Sequence, residues 1–424
     1  MAIAMILADA GLTAVGTREY AVRDSESRSR LVQNLVTARL VAAVLAGAAA
    51  VLFTVVAGYE STIVVGTALG AVALVFTMAQ QTYAIPLIAE LRLELVTALD
   101  LLRQAVFVVG ILFLVAAGAG LLAFFVLPIP VAIAVLVATL IAVGSKGRAN
   151  PSLESREWRY LLAETLPAAA ASVLASLFYR VAIVVMSLIA TAQQTGYFGI
   201  SFRVAEVFIA VPSLMVGSAL PVLARMAETD SLRLTTPFQR LFDISVILGA
   251  LTAFALVVGA APAIALLGGS DFDPAVPVLR IQGVAIAITF LVAVFSGTLW
   301  VVRAKQQLVL GHLVGVIAAV VLTLVLVPVA EAQGAAVAMV CAESLLCAWL
   351  GVALLRRRPE LRPSLRTLAK VLAALVVAAA VALLPVPDVV AVILGSAAYI
   401  GVLLALRAVP AGLWREALLG ERAG

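Results

Sequence analysis

The residues of this chain that could do chemistry are charged side chains set inside long apolar runs: Arg39, Arg180, Arg203, Arg280, Glu206, Asp9 and Glu343. A guanidinium offers paired donors in a plane and keeps its charge, so it suits a phosphate or diphosphate. A deep carboxylate is what coupling to a proton or cation needs, because its change of charge alters which conformation is favoured. If the surroundings are lipid, a charge at the centre costs about 2.5–3.5 kcal/mol on insertion scales, so depth decides what each residue can do. Arg39 and Arg280 stand about five and four residues from the ends of their runs and read first as snorkelling anchors, second as cavity residues. Arg180 and Arg203 flank the polar break at Ala190–Gln194 by ten and nine residues, which on neighbouring antiparallel helices sets both roughly 14 Å deep. Glu206 is one turn from Arg203 and can pair with it, either to tie helices together or beside a ligand. Arg180 has no acid at i±3 or i±4, and a water-filled interior accounts for it better than lipid. Asp9 and Glu343 lie near mid-depth and are the coupling candidates, whereas Glu164 and Asp243 are close to run ends. Among Pro86, Pro167, Pro212, Pro221 and Pro262, Pro212 is mid-run and the best hinge candidate.

The elements that must hold these residues follow from composition. Of 424 residues 64% are apolar and 12% charged, against roughly 25% charged in an average soluble protein. A soluble globule could not hide that apolar surface, so the solvent is a lipid bilayer and the spanning element is the helix. The long unbroken runs lack the alternation of an outer-membrane barrel. Basic residues never interleave with aromatics in a stripe, so no nucleic acid is expected despite the net charge of +5. One histidine, His312, and no clustered ligands predict no metal and no cofactor. Cys341 and Cys347 fall on different faces of one helix and predict no disulfide. There is no phosphate-binding loop for ATP, and no catalytic constellation.

Thirteen spans are predicted, at residues 1–17, 34–57, 61–87, 104–121, 124–143, 162–189, 195–223, 239–267, 276–301, 306–328, 333–355, 367–385 and 388–406. The division near Gly118–Leu127 is nearly apolar, and charge decides it. Taking alternate breaks, 24 of the 28 Lys and Arg fall in one set and none in the other; the remaining four are the arginines named above. The basic set, including the C-terminus, is therefore expected in the cytoplasm. That parity puts Met1 outside, in a first span of only about 17 residues without polar flanks, and predicts a preceding helix missing from the chain. The Gly66-x-x-x-Gly70 and Gly311-x-x-x-Gly315 spacings predict close helix packing.

The plan repeats: in each half a span descends into a charged segment of about fifteen residues and is followed by a Leu-, Val- and Ala-rich span. Two halves of even parity imply parallel repeats. The expected division is 1–145, 146–355 and 356–424, the last holding two extra helices and a tail. The segments LADAGLTAVGTREYA, LPAAAASVLASLFYRVAIVVMSLIAT, GYFGISFRVAEVFIAVPSLMVGSALPVLAR, LLGGSDFDPAVPVLRIQG and LVPVAEAQGAAVAMVCAES, in that order and topology, resemble the polysaccharide-synthase branch of the MOP flippases, Wzx-type exporters of lipid-linked oligosaccharides. The resemblance implies an all-α polytopic membrane protein of two six-helix lobes plus two helices, thirteen of the fourteen being present here. Asp9, Gly11 and Leu12 match that family's Asp-x-Gly-Leu element, while Ala182 stands where relatives often carry an acid, which puts coupling at that position in doubt.

The function implied is the non-catalytic movement of an undecaprenyl-diphosphate oligosaccharide across the cytoplasmic membrane by alternating access. Arg180 and Arg203 would line a cationic cavity between the lobes, with Glu206, Arg39 and Arg280 as further substrate-binding candidates. A monomer working with polysaccharide polymerase and glycosyltransferases is the expected context. The alternative is a cation-coupled multidrug antiporter of the same superfamily, which calls for acids and aromatics rather than unpaired arginine. A membrane polymerase or ligase is weakest, because the breaks outside are under ten residues and leave no loop for glycosyl chemistry.

Overall fold

The computed structural model describes residues 1–9, 11–144, 173–229 and 234–408, and all regular structure among them is helical. Glu164, Pro167, the expected boundary at 145–146 and most of the basic segments 144–160 and 407–424 lie outside the described residues. Contacts divide the chain into two units, Met1–Leu177 and Phe178–Gly424.

In the first unit α1 (Ala2–Asp9) and α2 (Leu12–Val22) are followed by α3 (Ser25–Val56), α4 (Ser61–Tyr83), the short α5 (Ile85–Ala89), α6 (Leu93–Ala116), α7 (Leu121–Val126) and α8 (Pro128–Val143). The first predicted span is therefore broken. Gly11 sits at φ +78°, in the left-handed region that only glycine enters without a steric penalty, and α2 starts there. Small residues of α1, Ala4 and Ala8, pack on Ala43, Leu74 and Met78 of α3 and α4. Leu12 and Tyr20 of α2 pack on Leu31, Val32 and Leu35 of α3 and on Ile85. The nearly apolar turn divides α6 from α7 as charge predicts, with Gly118 at φ +63°.

Helices extend beyond their apolar runs. α3 starts at Ser25 rather than 34, and α6 at Leu93 rather than 104. A helix leaving the bilayer keeps its internal hydrogen bonds in water, so the polar residues next to a span continue it. For α6 this places Asp100 and Arg103, which the charge count treats as loop, on a helix where they border a cleft of the unit.

The second unit takes in α9 (Val173–Ile189), which begins just before it, then α10 (Ala192–Thr229), α11 (Thr235–Val258), α12 (Ala260–Gly268), a 3-10 turn at Ser270–Ala275, α13 (Val276–Val301), α14 (Lys305–Arg357), α15 (Arg366–Ala382) and α16 (Asp388–Ala405). α13 packs against α10, α11 and α14, with Leu279, Phe290, Val294 and Leu299 fully buried. α10 continues through Pro212. α14 contains two of the predicted spans. Its backbone leaves helical geometry only at Ala330 and Glu331, and the two legs fold back on each other. Positions 311 and 315 on the first leg face Trp349 and Leu346 on the second, so the pair is antiparallel. A Cβ at Gly311 would lie 2.9 Å from the Trp349 ring, and one at Gly66 2.5 Å from Phe125, which is the close packing the glycine spacings predict. α15 and α16 lie on α11, where Tyr399 donates to the Ile247 carbonyl at 2.9 Å. Ser364 N donates to Gln239 Oε1 at 2.7 Å, holding the segment before α15 to the start of α11. Both cysteines are free.

Candidate functional site

The break between α1 and α2 positions the polar centre of the first unit. One Asp9 oxygen accepts from Gly11 N at 3.3 Å, and the other accepts from the Thr13 hydroxyl, so the carboxylate covers donors left bare at the start of α2. The same carboxylate is ion-paired with Arg39 of α3, whose side chain is fully buried. Arg39 also donates to the hydroxyls of Thr13 and, at 3.3 Å, of Thr82. The snorkelling expected of Arg39 is not what the structure shows. Its counter-charge comes from thirty residues earlier, where the broken helix turns Asp9 toward α3, and a buried guanidinium is tolerated because it is paired and hydrogen-bonded.

Asp9 faces a cleft of about 890 Å³ inside this unit, lined also by Thr13, Gln80, Gln81, Asp100 and Arg103. Arg103 donates to Gln80 Oε1 at 3.0 Å and lies 3.4 Å from Asp100, while Gln80 Nε2 donates to Thr139 at 3.1 Å. Each acid in this wall thus has its own arginine. The wall is mostly apolar, but Thr13, Thr17, Gln80 and Gln81 set among its balanced charges offer hydroxyl and amide groups that can exchange hydrogen bonds with a hydroxylated ligand.

In the second unit the hairpin of α9 and α10 brings Arg180, Arg203 and Glu206 together. Arg180 Nη2 donates to one Glu206 oxygen at 2.7 Å and Arg203 Nη1 to the other at 3.4 Å. Arg180 therefore has an acid after all, supplied across the hairpin by a residue 26 positions away that spacing within one helix could not reveal. One carboxylate between two guanidiniums leaves one positive charge in excess. None of the three is enclosed: the side chains are 31%, 77% and 30% exposed for Arg180, Arg203 and Glu206. They line a cleft of about 400 Å³ together with Gly196, Gly199 and Phe272. Arg280 is exposed and has no ion pair among the described residues, and it does not line this cleft.

Glu343 forms a third centre, buried on α14 and accepting from Thr289 Oγ1 of α13 at 2.8 Å. With Tyr179, Gln282 and Thr289 it borders a void of about 30 Å³, enough for about one water-sized species. Both amide atoms of the buried Gln282 are without a protein partner among the described residues. Among the described residues no group of three or more His, Cys, Asp or Glu could hold a metal ion.

Sequence reasoning missed Gln80, Arg103, Thr289 and Gln282. The two glutamines are visible as amides inside apolar spans, but a reading that counts only charges passes over them.

The family model for polysaccharide biosynthesis protein matches residues 1–277, more than half of the chain. No curated protein matches the sequence at a significant level. In fold the chain is similar to the lipid II flippase MurJ in an inward closed conformation, with a TM-score of 0.78 and 10% identity over 96% of this chain and 90% of that one. It is also similar to a multidrug resistance MATE family transporter of the MOP superfamily in its inward-facing conformation, at TM-score 0.69 and 13% identity over 85% and 88%. A MOP superfamily transporter from Pyrococcus furiosus, whose reversed pocket polarity suggests a different function, gives 0.58 and 14% over 86% of each chain. At these identities the likeness concerns the fold. The chain belongs to the polysaccharide biosynthesis protein family, and its all-α fold, with several helices long and apolar enough to cross a membrane, is the one seen in MurJ and the MATE transporters.

Proposed function

We propose that the protein flips a polyprenyl-diphosphate-linked oligosaccharide, of the undecaprenyl type, from the inner to the outer leaflet of the cytoplasmic membrane. The observation that carries this reading is the excess guanidinium of the Arg180–Glu206–Arg203 cluster, partly open at the wall of a cleft. An anionic diphosphate can take the place that Glu206 occupies on either arginine, keeping two charge-assisted bonds without uncovering a buried charge. The amide and hydroxyl groups of Gln80, Gln81, Thr13 and Thr17 in the largely apolar cleft of the first unit suit sugar hydroxyls. In this reading the basic ends of the spans and the C-terminus face the cytoplasm. Pro212, inside the long α10, is the hinge for alternating access, and Glu343 is the residue through which a proton or cation is coupled. Family membership supports the polysaccharide context. A pocket for cationic drugs would call for an excess of acid, opposite to the excess at Glu206.

The test is purified protein in vesicles loaded with polyprenyl-diphosphate oligosaccharide in one leaflet, with the appearance of sugar on the other side read by lectin binding. Wild type equilibrates the leaflets and Arg180→Ala does not, at equal incorporation. Uptake of cationic dyes with no movement of the lipid would overturn the proposal in favour of the antiporter.

A further inference from the structure

A groove along the hairpin of α14 shares no residue with the clefts described above. It holds about 460 Å³ and runs along the second leg, past Leu345, Ala348, Trp349 and Val352, to Arg356 and Arg357, with Gln307 of the first leg opposite. The spacing from Leu345 through Trp349 and Val352 to Arg356 keeps these residues on one helix face. The legs can come together at the groove's inner edge because Gly311 leaves room for the Trp349 ring. The groove is thus apolar along its length and cationic where the apolar run ends.

The two arginines differ from their neighbour. Arg358 is paired with Glu360 at 3.3 Å, whereas Arg356 and Arg357 are exposed and have no ion pair among the described residues. Compensation of the helix C-terminus accounts for basic residues in the last turn, but not for their place at the mouth of an apolar groove. We propose that this groove binds one anionic phospholipid, of the phosphatidylglycerol kind: an acyl chain lies along Leu345, Ala348 and Val352, and the phosphate is held by Arg356 and Arg357. Charge complementarity sets the occupant, since a zwitterionic lipid brings its own cation to a site that already has two. Gln307 provides neutral donors and an acceptor for the glycerol hydroxyls. The inference does not depend on what the protein transports.

The experiment is native mass spectrometry of the full chain in detergent with equal phosphatidylglycerol and phosphatidylcholine, scored as the ratio of retained lipid. Wild type favours phosphatidylglycerol by about tenfold. Arg356→Gln/Arg357→Gln brings the ratio close to one. Ala348→Trp fills the groove while leaving both charges, and lowers it as far. Arg362→Gln/Arg366→Gln removes the same charge just beyond the groove and leaves the ratio at the wild-type value. A preference surviving in Ala348→Trp, or falling equally in the second arginine pair, would show attraction by the surface as a whole and overturn the site. So would retention of a polyprenyl phosphate in place of the phospholipid, or no preference in wild type. The arginine positions are exposed and their replacement leaves the fold intact, so an Ala348→Trp protein that fails to fold does not remove the test.

Discussion

The two units place arginine inside apolar helices in opposite ways. In the first, Arg39 is fully buried against two threonine hydroxyls and a carboxylate that reaches the cleft, and charge balances locally. In the second, Arg180 and Arg203 divide a single carboxylate, stay partly open, and leave charge in excess. A buried guanidinium has its desolvation cost met by its pairing, and although Asp9 is itself 33% exposed to the cleft, a ligand that drew it away would strand Arg39. An open, under-compensated cluster has unused donor capacity and little tertiary structure depending on it. The same residue type therefore holds a broken helix to its neighbour in one unit and keeps donors unused in the other.

Substitutions can break this contrast, and the largest effect belongs to the buried side. Asp9→Asn strands a buried guanidinium and lowers stability by about 3–5 kcal/mol, read by thermal unfolding in lipid nanodiscs. Adding Arg39→Met removes the stranded charge, while the amide oxygen introduced by Asp9→Asn still accepts from Gly11 N, and the double variant recovers most of the loss. A single variant as stable as wild type would deny Arg39 its structural role. Arg180→Ala acts on function instead: lipid flipping falls about tenfold or more, equivalent to ~1.4 kcal/mol, while the unfolding temperature stays near wild type. Arg203→Ala removes the excess charge but leaves the shorter Arg180 bond, so it lowers flipping about fivefold, less than Arg180→Ala, and changes stability by within about 0.5 kcal/mol because the side chain is 77% exposed. If Arg203→Ala flips lipid as well as wild type, the excess charge is not what the substrate reads. Glu206→Gln frees both guanidiniums and raises affinity for inorganic diphosphate about threefold by isothermal titration, against the loss of affinity expected if Glu206 only orients the arginines.

Much of the architecture was legible in the chain because lipid makes spans declare themselves. Each of the thirteen runs is helical over most of its described length, and even the turn at Gly118, with no charge in it, could be placed from the charges on either side. What was illegible depends on long-range pairing. Arg180 looked unpaired because the i±3 and i±4 rule sees only its own helix, and Glu206 arrives from the next one. Arg39 looked like an anchor because its distance from a span end says nothing about a carboxylate thirty residues away. Gly11 was visible as part of an Asp-x-Gly-Leu element, but nothing in that element announces a break in the helix; only its positive φ and the turning of Asp9 show it. Arg103 was counted as loop because polarity marks the edge of the bilayer, and the helix does not stop there.

The hairpin of α14 bears on where the chain tolerates an insertion. Between its legs only Ala330 and Glu331 depart from helical geometry, and a Cβ on Gly334 would fall 2.2 Å from the Leu326 carbonyl oxygen. With no slack there, a residue added between the legs would have to push one against the other. The two legs are therefore one helical hairpin whose tip has no spare length, and a tag inserted within that turn is expected to disturb the packing of both legs, where one placed after Arg357 does not.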